Sequence, residues 1–164
     1  MFFIGIDPGL QGGITILDNI GKVAEMHKMP VTEYGIDVNE LYKIISKYDN
    51  NDTIGITEQI FLPSKQSGSV TVGTNYGRIL AVFELLKITY FPIRPQEWQK
   101  QLIPGIKERK NVKEASIKMS LIMGADLPKI GKSDRSNKYH DGCADSFLIA
   151  QYGYLNEGSL NKFL

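Results

Sequence analysis

Phe2-Phe3-Ile4-Gly5-Ile6-Asp7-Pro8-Gly9-Leu10-Gln11-Gly12-Gly13-Ile14-Thr15-Ile16-Leu17 is the stretch that decides how this chain folds. Its opening apolar run is too short for a buried helix and fits a strand covered on both faces. Asp7 then stands where that strand leaves the core. Pro8-Gly9 turns the chain, and Gly12-Gly13 opens a second β run that returns beside the first as a hairpin. An isolated Asp-Pro-Gly is equally at home as a plain turn, so the rest of the sequence must give this carboxylate a purpose.

Outward from that hairpin, the turn Asp18-Asn19-Ile20-Gly21 leads into 22–29, where apolar and polar residues mostly alternate, and a three-stranded antiparallel meander is expected. Over 37–48, Val38, Leu41, Ile44 and Ile45 fall on one stripe of an amphipathic helix. Residues 53–61 read as another short buried strand, and Glu58 near its end repeats the logic of Asp7. The polar, Ser/Gly/Thr-rich stretch 62–75 predicts a loop running into a helix from about 74 to 87. A last strand is expected over 88–94, with Pro92 near its exit. Pro95 suits the first turn of the following helix, in which Trp98 is expected as a core anchor. A basic loop at 103–110 precedes a helix over 112–123 with Leu121, Ile122 and Met123 in the core. The polar stretch 131–138 precedes a final helix that begins near Asp141. Asp141 and Asp145 share one face of its first turn. No internal repeat or linker divides 1–164, so one domain is expected.

Composition limits the possibilities. With 164 residues, one cysteine and no Cys/His pairs at finger spacing, neither an internal disulfide nor a structural zinc site is expected. No apolar run approaches the roughly 18 residues of a spanning helix, and an intracellular protein with no membrane partner is the expectation. Net charge is only +1, but it is unevenly spread. Residues 98–140 hold ten Lys and Arg against four Asp and Glu, leaving nine against fourteen elsewhere. A solvated polar face accounts for such a run, and so does a phosphate backbone, to which each cation adds affinity by releasing counterions.

The element order is that of a ribonuclease H-like fold, an α/β architecture with a five-stranded mixed sheet flanked by helices. In such a sheet Asp7 and Glu58 lie on adjacent central strands, and the final helix aims Asp141 and Asp145 at the same spot. Carboxylates converging without Lys or Arg partners would repel one another, which points to divalent cations. Oxygen ligands select Mg²⁺ or Mn²⁺.

Three segments carry a resemblance: Gly5-Ile6-Asp7-Pro8-Gly9, Thr57-Glu58-Gln59-Ile60-Phe61, and His140-Asp141-Gly142-Cys143-Ala144-Asp145-Ser146-Phe147-Leu148-Ile149-Ala150. In this order they resemble the RuvC-type Holliday-junction resolvases, in particular their smaller bacteriophage-like relatives. The resemblance implies a homodimeric endodeoxyribonuclease that binds a four-way DNA junction and nicks two opposed strands of like polarity. It implies two Mg²⁺ or Mn²⁺ ions per active site, held by Asp7, Glu58, Asp141 and Asp145. It also implies a lysine on the scissile phosphate, for which Lys110 and Lys113 are the best candidates and Lys107 the next. The DNA-contacting set is then Phe61, Lys107, Arg109, Lys110, Lys113, Lys132 and Arg135, with Phe61 matching a family aromatic that stacks on unpaired bases. A dimer is expected through the 74–87 helix, with Ile79, Val82, Phe83 and Leu86 at the interface. A ribonuclease H acting on RNA–DNA hybrids and a non-catalytic branched-DNA-binding relative are the competing readings.

The sequence departs from the family pattern at one point. Many RuvC proteins space the last two ligands three apart, and the residue three before Asp145 is Gly142. Asp141, four before, keeps the same helical face, whereas His140 is rotated from Asp145 by about 140°. Asp141 is therefore expected as the ligand, with an N-cap as its alternative role and a phosphate or outer contact left to His140.

Overall fold

The computed structural model describes residues 1–48, 50–61, 68–105, 109–130 and 138–160, without the side chains at 50, 109 and 110. Strand β1 (Phe2–Asp7) is buried from Phe3 to Ile6 because it lies mid-sheet with both faces covered. Side chains along a strand point alternately to opposite faces, and the apolar residues of β1 divide accordingly. Phe3 joins a core with Ile56, Trp98, Phe147 and Leu148. Ile4 and Ile6 join a second core with Leu41, Ile79, Val82 and Phe83.

Strands β2 (Gly13–Leu17) and β3 (Val23–Lys28) complete the expected antiparallel meander. A small hairpin, β4 (Val31–Thr32) and β5 (Gly35–Ile36), precedes helix α1 (Val38–Ile45). Asp37 caps that helix by accepting from Glu40 N at 3.1 Å. Strand β6 (Thr53–Glu58), helix α2 (Ser69–Leu85), strand β7 (Thr89–Ile93) and helix α3 (Pro95–Leu102) follow. Helices α4 (Arg109–Ile122), α5 (Asp141–Leu155) and α6 (Glu157–Leu160) complete the order. The main sheet runs β3-β2-β1-β6-β7, with β6 parallel to both β1 and β7. This is the five-stranded mixed sheet of the ribonuclease H-like fold, with Asp7 and Glu58 on neighbouring strands as expected.

Two helices differ from their sequence-based prediction. Helix α2 begins five residues before the predicted 74. Gly, Ser and β-branched residues are weak helix formers, which hides this first turn from local propensity, and tertiary bonds anchor the turns that follow it. Asn75 Oδ1 accepts from Ile36 N at 3.0 Å, and Arg78 donates to Tyr34 O at 2.7 Å. Ile79, Val82 and Phe83, expected at a dimer interface, are instead buried in this chain's own core. The outer face of α2 carries Val70, Gly77, Ala81 and Leu85.

Helix α4 turns a different face inward than expected. Ser116 and Ser120 are fully buried, and Ser120 Oγ donates to Ala144 O of α5 at 3.2 Å. Successive residues turn by about 100°, so a helix with 116 and 120 inward points 121 and 122 away. Leu121 and Ile122 are exposed, Ile122 at 68%, rather than in the core.

Helix α5 packs backbone to backbone on the β1–β2 hairpin. A Cβ at Gly5 would lie 2.3 Å from Ser146 O and 2.4 Å from Ala150 N. A Cβ at Gly142 would lie 2.2 Å from Gln11 O and 2.6 Å from Gly12 Cα. Both obstacles are backbone, so neither can move without shifting the helix. Overpacking on such a scale costs about 3 kcal/mol or more. Gly5→Ala is therefore expected to lower unfolding free energy by about that amount in a urea titration, whereas Gly77→Ala, where nothing lies within 4 Å, should leave it unchanged or raised.

Candidate active site

Asp7 ends β1 and Glu58 ends β6 because these strands pair in parallel, with Ile6 opposite Thr57. Their carboxylates therefore leave the sheet at the same edge. Helix α5 crosses that edge, tied to it by the bridge between Gly12 and Gly142. Asp141 and Asp145, one turn apart, descend beside Asp7. All four carboxylates line one cavity of about 660 Å³, together with Lys113, Trp98 and Gln99.

Each acid is held differently. Asp7 Oδ1 accepts from Gly9 N at 3.3 Å. Its pKa is pushed up to about 6, chiefly by burial and secondarily by the Asp141 charge, with Gly9 N–H and Lys113 opposing. Asp145 is pushed up to about 7, again chiefly by burial, with Asp7, Glu58 and Asp141 adding to it. Its Oδ1 is buried without a hydrogen-bond partner. The nearby Ser116 hydroxyl, itself buried and unpaired, works in the opposite direction on the Asp145 pKa. Glu58 Oε2 accepts from the indole Nε1 of Trp98 at 2.9 Å. Burial also opposes ionisation of Asp141, but the hydrogen bond and charge of Lys113, with backbone N–H groups, hold its pKa below the ordinary value. Lys113 is raised in turn by that bond to Asp141, with Asp145 and Asp7 contributing.

The expectation of carboxylates without a basic partner is thus corrected: Lys113 of α4 reaches over the cluster and pairs with Asp141. The cap alternative for Asp141 is corrected as well. His140 is the N-cap of α5, its Nδ1 accepting from Cys143 N at 3.2 Å, which leaves Asp141 as the first helical residue. A His in place of Ser, Thr, Asp or Asn at a cap carries little sequence signal. Burial, with Lys28 adding its charge, lowers the His140 pKa, which favours the neutral ring that this acceptor role needs. Cys143 is buried and its thiol is pushed up to about 12 by that burial, so it offers no thiolate at neutral pH.

Of the remaining expected site residues, only Phe61 has a described side chain, and it does not join the cluster. Phe61 is 69% exposed and lies with Arg94, Gln96, Glu97 and Lys100 around a separate cavity. Lys107, Lys132 and Arg135 lie outside the described residues, as do the side chains of Arg109 and Lys110. Among the described residues, no three His, Cys, Asp or Glu side chains are drawn together tightly enough to grip an ion as they stand. The hydrogen bonds give the reason, since Asp141 is turned to Lys113 and Glu58 to Trp98. The donor set nonetheless fits a hard divalent cation. It is all oxygen, it is partly desolvated, and it includes the buried, unpartnered Oδ1 of Asp145.

No protein-family model and no curated protein matches this chain. Among solved structures, Thermus thermophilus RuvC is similar with a TM-score of 0.63 at 17% identity, covering 97% of this chain and 96% of that one. T. thermophilus RuvC in complex with Holliday junction substrate is similar with a TM-score of 0.64 at 13% identity and the same coverage. The chain therefore has the fold of RuvC over almost its whole length. Among the described residues, no helix is long and apolar enough to cross a membrane.

The raised carboxylates set a pH dependence. A group whose pKa is higher in the folded than in the unfolded state binds more protons when folded, so stability falls as pH rises from about 4 through about 7. Asp145→Asn is expected to stabilise the protein in EDTA at pH 8 by about 4 kcal/mol, and to leave it nearly unchanged at pH 4. Thermal melts at the two pH values check both halves.

Proposed function

We propose that this protein is a RuvC-type, metal-dependent DNA endonuclease that resolves four-way junctions. The observation that carries the reading is the meeting of Asp7, Glu58, Asp141 and Asp145 on one cavity of this fold. Their fold relative was solved in complex with Holliday junction substrate, and that supports branched DNA as the ligand class here.

Two Mg²⁺ or Mn²⁺ ions would supply an activated water and stabilise the leaving 3′ oxygen. Asp7 would be shared between them. Glu58 would complete one site, and Asp145 with Asp141 the other. Lys113 has a side chain 63% exposed beyond its bond to Asp141. Its ammonium is placed to turn from the carboxylate to a phosphate oxygen once cations neutralise the acids. An apolar groove of about 890 Å³ adjoins the site, sharing Lys113 and Asp141 and bordered by Lys118 and Lys138. This basic border suits a strand leaving the site. Paired nicks need two sites related by a two-fold axis. The outer face of α2, with Val70 and Leu85 exposed and open space at Gly77, is the surface that suits a second copy.

The test is a cleavage panel of four-way junction, Y-fork, flap, plain duplex and RNA–DNA hybrid, each with Mg²⁺, Mn²⁺ or EDTA. Paired nicking of the junction with either cation, and none in EDTA, is expected. Preferred cutting of the hybrid would instead make the protein a ribonuclease H. Asp7→Asn and Glu58→Gln should each lose at least about 100-fold in rate, since a ligand counts for more than the outer partners that orient it. Both should keep junction binding. Asp141→Asn should lose most of the cleavage rate. His140→Ala should lose less and cost about 1 kcal/mol of stability through the lost cap.

Phe61 gives a separate outcome. The exposed ring contributes little to folding, so Phe61→Ala should leave the melting temperature unchanged. A stack on an unpaired base contributes about 1–3 kcal/mol, so junction resolution should fall by roughly ten-fold.

A further inference from the structure

We infer that Trp98 is a positioning residue for Glu58, and that its indole N–H sets the affinity of the carboxylate cluster for divalent cations. The inference rests on the metal-nuclease reading above and adds a residue to it. Trp98 is 1% exposed and is among the largest fully buried side chains, packed in the core with Ile93, Leu102 and Phe147. Packing alone would be satisfied by any large ring. Its Nε1 nonetheless donates to Glu58 Oε2 at 2.9 Å, across the boundary between core and cavity.

The backbone arranges this meeting. Strand β7 runs parallel to β6, with Ile93 opposite Glu58, and Gln59 N donates to Ile93 O at 2.7 Å. Helix α3 starts two residues after Ile93, with Pro95 first and the Glu97 side chain accepting from Arg94 N at 3.3 Å. Its fourth residue, Trp98, is thereby fixed beside the end of β6. An indole N–H can only donate. It therefore favours the ionised carboxylate and fixes its plane, and the rigid core around the ring leaves the donor no other position. Outer partners that orient a ligand in this way typically change metal affinity by 10–100-fold when removed. Asp141 has a different kind of partner, a long and exposed lysine that can leave. Glu58 is thus the pre-set acid of the cluster and Asp141 the adjustable one.

Trp98 is also the chain's one tryptophan, so its emission reports on the charge at Glu58. The test uses the full chain without DNA. Mg²⁺ is titrated by calorimetry and by tryptophan fluorescence, with junction binding in EDTA as a control. Wild-type emission is expected to change saturably along the calorimetric isotherm, and Glu58→Gln should abolish or displace that change. Trp98→Phe keeps a buried ring and loses only the N–H. It should weaken Mg²⁺ binding by about ten-fold or more, with junction binding in EDTA retained. A Trp98→Phe protein that melts earlier yet binds Mg²⁺ like the wild type overturns the inference. So does a wild type that saturates with Mg²⁺ without any change in emission, a result that stands even if the variant fails to fold. A wild type that takes up no Mg²⁺ at all overturns the metal reading itself, and this inference with it.

Discussion

Contact between backbones, rather than between side chains, fixes the geometry of this protein. Helix α5 lies so close to the β1–β2 hairpin that Gly5 faces Ser146 O and Ala150 N, and Gly142 faces Gln11 O, with no room for a Cβ at either position. Only glycine permits such an approach. The carboxylates that meet in the cavity are thereby located by main chain. Asp7 is two residues past Gly5, Asp141 immediately precedes Gly142, and Asp145 is one turn further on. The departure at position 142 has the same origin. A side chain three residues before Asp145 would have to grow from a Cα already pressed against the hairpin, whereas Asp141, where the helix begins, lines the cavity.

That placement brings like charges together, and the structure answers with three different compromises. Asp7 and Asp145 are raised toward neutral pH, mainly because they are desolvated. Asp141 stays ionised because Lys113 is bonded to it. Glu58 is held by a neutral donor, the Trp98 indole. A cluster arranged so brings its charges together at neutral pH, and the cation described on it, Lys113, arrives on a long, solvated side chain. A divalent cation entering the cavity would gain the carboxylates that Lys113 cannot serve, and would release Lys113 toward solvent or substrate. The pairing of Lys113 with Asp141 is consistent with its candidacy for a phosphate contact, since one ammonium can serve two anions in turn.

Much of this was legible in the sequence, for identifiable reasons. The β1–β2 hairpin, the short strand ending at Glu58 and the final helix are encoded by short-range patterns: a brief apolar run, a turn, one helical face carrying Asp141 and Asp145. What escaped depends on contacts between distant segments. Helix α2 starts at Ser69 in a stretch of weak helix formers and is anchored further along by Asn75 and Arg78 binding the β4–β5 hairpin, which local propensity does not reveal. The fully buried positions described in α4 are Ser116 and Ser120, with Val112, Ala115 and Met119 packed against the core beside them, and a polar centre of this kind leaves hydrophobic patterning to point to Leu121 and Ile122 instead. His140 as an N-cap follows from a ring nitrogen meeting Cys143 N, a geometry with no common sequence signature. Trp98 was recognised as a core residue, but the direction of its N–H was not written in any spacing.

The two cores of the sheet are therefore unequal partners in the site. On one face Ile4 and Ile6 pack against α1 and α2, and among the described residues none of that core lines the cavity of the acids. On the other face the packed residues alternate with the site residues themselves: Cys143 and Ala144 lie between Asp141 and Asp145, and Trp98 reaches Glu58. Interiors are close-packed and transmit strain, so a defect in this second layer is passed to the acids through α5 and α3. A defect in the first layer reaches them only through the sheet. The side of the sheet that positions the carboxylates is thus also the side on which packing and chemistry cannot vary independently. The opposite layer, carrying the open outer face of α2, remains free to vary with whatever it meets.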